Sequence, residues 1–496
     1  MIIKACYYVL LFIIFSSIII AFNSVRVDKT LDSSVDTFED DDFEDENIIT
    51  NVNRRSAING DNETVIEENV ELNIEPDVKF IIWATRHGNR NPSKYFVANH
   101  YWRGWGEEGP LELNRRGKTE VFNFGIRFKN FLNGFTKRNY NASQIRLYTS
   151  SANRCQMTMQ LVCAAIFRPA GYGVWRDHFD WSPVPYIIDD DVLRPYSKKC
   201  DPITRAWSPI DKEETQKIKE QLANNQDIID YISKVATEFN FDKSQSYKDM
   251  GDVADNLRNY LLFRKQPPDF ITQVNMSHYN ETSLTQKIMT FMEGPQIACA
   301  SDKECGYLMG GNWLNEIKKE LLKKANESNN YEIKMIGYSS HTEIVLSLMK
   351  LMGIDQDELG TGCGFIIELR DKPVWSVKLL KHNTNYEGPR LHGHSITLAN
   401  YTEGLKNISM GNGWIPLSNF TDYIEKNTIH GWDEICPTCT VQRDVKVNDA
   451  VEEQIPTETS HEKLVINSTM TQNSGEKIYS QNYILILAFI VYKIIF

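Results

Sequence analysis

No basic stripe runs through this sequence, which excludes a nucleic-acid surface. The net charge of −12 is carried by one segment: Asp28–Glu75 holds 16 acidic and three basic residues, a balance of −13, and the rest of the chain sits at +1. The acidity therefore belongs to a tail and not to a binding surface. No internal repeat divides the chain, and 496 residues with 41% apolar content are ample for one large domain or two smaller ones. Nothing near Cys436-Pro-Thr-Cys439 supplies a second pair of metal ligands, so this CxxC reads as disulfide cysteine and not as a zinc or redox site.

What is present first concerns destination. Lys4 is the only charge before an apolar run from Ala5 to Phe22, with small residues near Ala21 and Ser24, so residues 1–24 read as a signal peptide. Residues 25–76 follow as an acidic linker, too poor in apolar residues to fold alone and expected to be disordered. Eight cysteines lie beyond the signal region: Cys155, Cys163, Cys200, Cys299, Cys305, Cys363, Cys436 and Cys439. Their even number fits disulfides formed in an oxidising compartment, with the pairing left open. Nine Asn-x-Ser/Thr triplets, at Asn62, Asn141, Asn275, Asn280, Asn326, Asn400, Asn407, Asn419 and Asn467, agree with a glycoprotein. At the other end, residues 446–482 read as a polar stalk. Tyr483–Phe496 is an apolar terminus behind small residues at Asn473-Ser474-Gly475, the pattern of a GPI signal, with a plain membrane anchor as the alternative. The expected location is extracellular, at the cell surface or in a lysosome-like compartment reached through the secretory pathway.

Between these ends the apolar pattern alternates strand and helix. Val78–Ala84 reads as a buried strand running into the polar loop Thr85–Pro92. Leu113–Leu132 has helical periodicity, with Val121, Phe124, Phe128 and Phe131 on one side. Ile145–Thr149 reads as a strand, and Ser150-Ser151-Ala152-Asn153 then opens a helix to Phe167 with a capping residue at its start. From about 200 to 330 strand-like runs are scarce and amphipathic stretches such as Asp211–Ala236 dominate, which predicts a helical cap. Lys334–Ser339 returns to a strand, Ile344–Met352 to a helix, and Gly364–Leu369 with Val374–Leu379 to a strand pair. Leu391-His392-Gly393-His394 reads as a loop without chemistry. The order predicts an α/β fold: a central mixed sheet flanked by helices, with a mostly helical cap inserted.

The densest chemistry is Arg86-His87-Gly88-Asn89-Arg90-Asn91-Pro92, at the end of the first strand. A phosphoryl group spreads charge over three oxygens, and guanidinium forks match that geometry. A neutral imidazole attacks phosphorus in line while the arginines hold the accumulating charge. An ordinary loop with solvated arginines is the plainer reading. Its weakness is the position, because ligands of α/β sheets bind at the carboxyl edge.

Arg-His-Gly-x-Arg-x-Pro is the signature of the histidine acid phosphatases, which this sequence resembles, keeping all five fixed residues. Leu113-Asn114-Arg115-Arg116-Gly117 resembles the family's Leu-Thr-x-x-Gly segment, Gly310–Glu316 the stretch leading back from the cap, Arg154 the third phosphate-binding arginine and His341 the second histidine. The resemblance covers roughly residues 78–440 and implies one phosphatase domain, 77–445. It implies His87 as nucleophile, Arg86, Arg90 and Arg154 as phosphate ligands, and His341 as donor to a phosphate oxygen, with no metal and no cofactor.

One position departs from the pattern. The family usually has Asp directly after the second histidine, as proton donor to the leaving oxygen; here it is Thr342, too weak an acid. Glu343 follows, as in the His-Ala-Glu of the inositol-polyphosphate branch, and is the candidate acid. Its negative charge also suits the N-terminus of the following helix. Three functions stay open: an acid phosphatase acting on small-molecule or protein phosphate monoesters, a phytase-like inositol-phosphate phosphatase, and a non-catalytic surface glycoprotein on a phosphatase scaffold. An oligomer is compatible with all three.

Overall fold

The apolar run at Val78 forms β1 (Val78–Arg86), buried nearly throughout. In the computed structural model, which describes residues 72–96, 108–327, 330–387 and 390–437, the chain continues through α1 (Arg115–Leu132), β2 (Ile145–Thr149), α2 (Asn153–Ile166) and the two-residue β3 (Ile187–Ile188). From Asp190 to Asn326 the described residues hold helices and no strand, the longer ones being α3 (Ser246–Leu262), α4 (Gly294–Ser301) and α5 (Lys303–Asn326). The sheet then resumes with β4 (Met335–Ser340), followed by α6 (Thr342–Leu351), β5 (Gly364–Arg370), β6 (Ser376–Glu387), β7 (Arg390–Leu398) and β8 (Trp414–Pro416).

Among the described residues, eight strands form one mixed sheet in the order β3-β2-β4-β1-β5-β6-β7, with β8 on β6. The half made of β1 to β4 is parallel and the half from β5 onward antiparallel. Two cores lie on its two faces. Ile81 and Trp83 point to one, where α1 and α2 bring Phe124, Phe128 and Val162; the Trp83 ring meets Phe124 at 5.7 Å and Phe128 at 5.6 Å. Phe80, Ile82 and Ala84 point to the other, packed with α5, α6 and helices of the insertion through Trp313, Leu314, Leu346 and Leu348. Alternate side chains of one strand thus serve opposite faces, as a strand covered on both sides requires.

This arrangement creates the crevice that matters. β1 and β4 are adjacent and parallel, with Arg86 opposite Ser340. The chain leaves β1 toward the α1 face and leaves β4 toward the α6 face, so their carboxyl ends part over an open switch point.

Several expectations are corrected. Leu391–His394 is not a loop but part of β7, paired with β6; the glycine and two histidines of the segment hid the strand. The amphipathic stretch Asp211–Ala236 is helical as expected, in two helices, Gln216–Ala223 and Gln226–Val235, after a break at Glu213, whose φ is 57°. The even cysteine count does not mean full pairing. Cys200 bonds to Cys436 and Cys299 to Cys305, whereas Cys155, Cys163 and Cys363 are buried free thiols. Burial pushes the Cys155 thiol up to about 11 and Cys163 higher still, so these three act as small apolar groups. The signal peptide, the acidic linker to Glu71, the stalk, the C-terminal tail and Cys439 lie outside the described residues. Among the described residues no helix is long and apolar enough to cross a membrane.

Candidate active site

His87 is the first residue beyond β1, and both neighbouring strands hold it. Its N–H donates to Ser340 O at 3.0 Å and its carbonyl accepts from Gly362 N at 3.1 Å, while Arg86 N donates to Cys363 O at 2.9 Å. The ring nitrogen Nδ1 lies 2.8 Å from Gly88 O. A carbonyl only accepts, so Nδ1 carries the proton and Nε2 carries the lone pair.

The loop after His87 lies flat on the first turn of α1. Asn114 caps that helix, its side chain accepting from Gly117 N at 3.0 Å. A Cβ on Gly88 would meet Gly117 O at 2.4 Å, and one on Gly117 would meet Asn89 O at 2.0 Å. Only two glycines allow this approach. Gly117→Ala is therefore expected to destabilise the fold by about 1–3 kcal/mol through overpacking, read as a lower Tm. A Tm within a degree of wild type would contradict the tight approach.

Four arginines converge on the histidines. Arg86 donates through Nη1 to Leu359 O at 2.5 Å and through Nη2 to the carboxylate of Glu293. Arg90 is held by Asp255 of α3 at 2.7 Å. Arg154, in the first turn of α2, donates to His341 Nδ1 at 3.2 Å. Arg194 donates to Ser151 Oγ at 3.3 Å and stacks over Tyr196, 5.7 Å from the ring centroid. The Nε atoms of Arg86, Arg154 and Arg194 are buried without a hydrogen-bond partner. Buried donors are seldom left unmet, and an anion with several acceptor oxygens suits them. Burial, then Arg154, Arg86 and His341, holds His87 well below its usual pKa. Burial, then Arg154, Arg194, Arg86 and Arg90, does the same to His341.

His341 follows β4, its ring centroid 5.6 Å from that of His87. A guanidinium only donates, so Nδ1 accepts from Arg154 and the proton sits on Nε2, which donates to Ser150 Oγ at 3.0 Å. Both nitrogens are in use, and donation to a phosphate oxygen requires Nε2–H to leave Ser150. This also corrects the expected cap of α2. The N-cap is Ala152, with no side-chain capping bond, and Ser150 is spent on the histidine.

Glu343 is 5% exposed, in the first turn of α6, and lines a cavity of about 370 Å³ with Tyr196, Thr204 and Trp207. Burial raises its pKa; a hydrogen bond from Tyr196 and the charges of Arg154 and Arg86 oppose that without cancelling it. Thr342 is turned away from this cavity, donating to Glu293 Oε2 at 3.2 Å. The structure thus brings together Arg86, His87, Arg90, Arg154, His341 and Glu343. Arg194, Ser150 and Glu293 were missed, because none stands at a telling distance in sequence from either histidine.

A larger cavity of about 510 Å³ is lined by Arg86 together with Lys217, Arg258, Glu293 and Glu358. Against known proteins, the profile of the Histidine phosphatase superfamily (branch 2) matches residues 77–362. Prostatic acid phosphatase of Mus musculus is 21% identical over 366 residues, covering 73% of this chain and 89% of the relative. Lysosomal acid phosphatase of Xenopus laevis is 19% identical over 370 residues, covering 73% and 79%. Among solved structures, the phytase of Klebsiella sp ASR1 superposes with a TM-score of 0.51 at 13% identity, covering 71% of this chain and 95% of that one, a likeness of fold.

Proposed function

Because this chain belongs to branch 2 of the histidine phosphatase superfamily, we propose that it is an acid phosphatase hydrolysing phosphate monoesters through a phosphohistidine, without a metal. The observation that carries this reading is the state of His87: a neutral ring with its lone pair on Nε2, acted on by the charges of Arg154 and Arg86, beside a His341 on which all four arginines act. Nε2 attacks phosphorus and the P–O bond to the leaving group breaks. Arg86, Arg90 and Arg154 hold the equatorial oxygens, with Arg194 a further cation nearby. The leaving alkoxide takes the proton of Glu343, whose raised pKa keeps it protonated further up the pH scale than an ordinary carboxylate. Water then gives that proton back to Glu343 as it attacks phosphorus, and orthophosphate leaves Nε2.

The mixed charge of the larger cavity, Lys217 and Arg258 against Glu293 and Glu358, favours a monoester of modest charge over a polyphosphorylated ring. The two disulfides support passage through the secretory pathway. The test is hydrolysis of an aryl phosphate by the folded protein in excess chelator at acid pH. Turnover unaffected by the chelator is expected. Turnover that stops on chelation and returns with a divalent cation would overturn the metal-free mechanism, and a folded protein inactive at every pH from acid to neutral would favour a binding role.

A further inference from the structure

The carboxylate of Glu293 enters the arginine cluster from the helical insertion. Its Oε1 accepts from Arg86 and lies 3.7 Å from Nη1 of Arg258, and its Oε2 accepts from Thr342. The side chain is 12% exposed. Burial works to raise its pKa, and Arg86, Arg258 and Arg90 outweigh burial and hold it below the usual carboxylate range. An anion is therefore fixed at this point at neutral pH.

The backbone underlines how unusual the arrangement is. Glu293 has φ 52° and ψ 28°, the left-handed region that disfavours a residue with a Cβ. A buried charge on a strained backbone costs stability, and such residues cluster at functional sites. The hydrogen-bond and ion-pair partners of its side chain are Arg86, Arg258 and Thr342, and Arg90 acts on its charge.

A phosphoryl group bound beside His87 finds Nε of Arg86 free, but a two-point contact with the guanidinium also needs the Nη2 that Glu293 holds. We propose that Glu293 is a built-in competitor for the phosphoryl site, an internal carboxylate that the incoming group must displace from Arg86. Its presence sets both affinity and selectivity. A monoester dianion brings two charges and three oxygens and displaces a single carboxylate. A phosphodiester or a carboxylate ligand brings one charge and does not. The inference rests on the arginine cluster being the phosphoryl site. The rival role for Glu293, holding Arg86 in a productive pose, has the opposite sign when the residue is removed.

Orthophosphate and dimethyl phosphate binding are to be measured by calorimetry at neutral pH on wild type and Glu293→Gln. Orthophosphate is expected to bind the variant about tenfold more tightly or better, once the competing buried charge is gone. Dimethyl phosphate is expected to bind the variant and not the wild type. Glu293→Gly gives the same reading should Glu293→Gln fail to fold, because glycine suits the left-handed backbone. Unchanged or weaker orthophosphate binding in the folded variant would overturn the inference while leaving the phosphoryl site in place. No orthophosphate binding by either protein would overturn both. Tighter binding in a variant and wild type that show no turnover would uphold the inference and remove the enzymatic reading.

Discussion

His87→Ala is expected to lower turnover on any phosphate monoester by about 10⁴-fold or more, because the residue that forms the covalent intermediate cannot be replaced by its neighbours. His341 stands with its ring centroid 5.6 Å from that of His87, yet both its nitrogens are engaged, by Arg154 and Ser150. Its lone pair is therefore not available for attack. The arginines do not depend on His87 for position: Arg86 is tied to Leu359 and Glu293, Arg90 to Asp255. The variant should bind orthophosphate within about threefold of wild type, a surface-like perturbation in energy. Rapid quench of the wild type with labelled substrate should trap an acid-labile, base-stable phosphoprotein that His87→Ala does not form. A variant that retains turnover would end the phosphohistidine mechanism.

Glu343→Gln carries the second large effect, and its size depends on the leaving group. General acid catalysis contributes about 10²–10⁴-fold where a poor leaving group needs the proton. An alkyl phosphate should lose that much, whereas an aryl phosphate, whose phenolate departs unaided, should lose little. The pH dependence has a definite sign. His87 stays neutral until pH falls well below the usual histidine value, which sets the acid limb. Glu343 must be protonated to donate, so alkyl phosphate turnover falls as pH rises through its raised pKa. The alkaline limb should vanish in Glu343→Gln and the acid limb remain. Should alkyl phosphate turnover survive the change, Glu343 is not the acid.

Much of the site was legible because the chemistry is local in sequence. Arg86, His87 and Arg90 fall within five residues at the end of one strand, and a strand end at a sheet's carboxyl edge is a place where ligands bind. Asn114 was read only as part of a family-like segment, and its role as the cap of α1 came from the structure. The segment Ser150–Asn153 was expected to supply a capping residue, but the N-cap is Ala152 without a side-chain bond, and Ser150 is taken by a partner 191 residues away, His341. Of the cysteines, the expected disulfides form between Cys200 and Cys436 and between Cys299 and Cys305, but not every cysteine takes part. Evenness in number says nothing of distance, and Cys155 and Cys163 are core residues of one helix.

By itself the sequence determined the alternation of strand and helix, the helical character of the insertion, and a histidine set among arginines. These follow from periodicity and from residues adjacent in the chain, where short-range sterics and hydrogen bonding act. Only the tertiary structure decided which nitrogen of each histidine bears the proton, that Arg194 stands with the other arginines, and that Glu293 faces Arg86 across 207 residues. Those outcomes depend on burial and on charges brought together by packing. Desolvation and Coulomb interaction are set by distance in space, which the order of residues leaves unspecified.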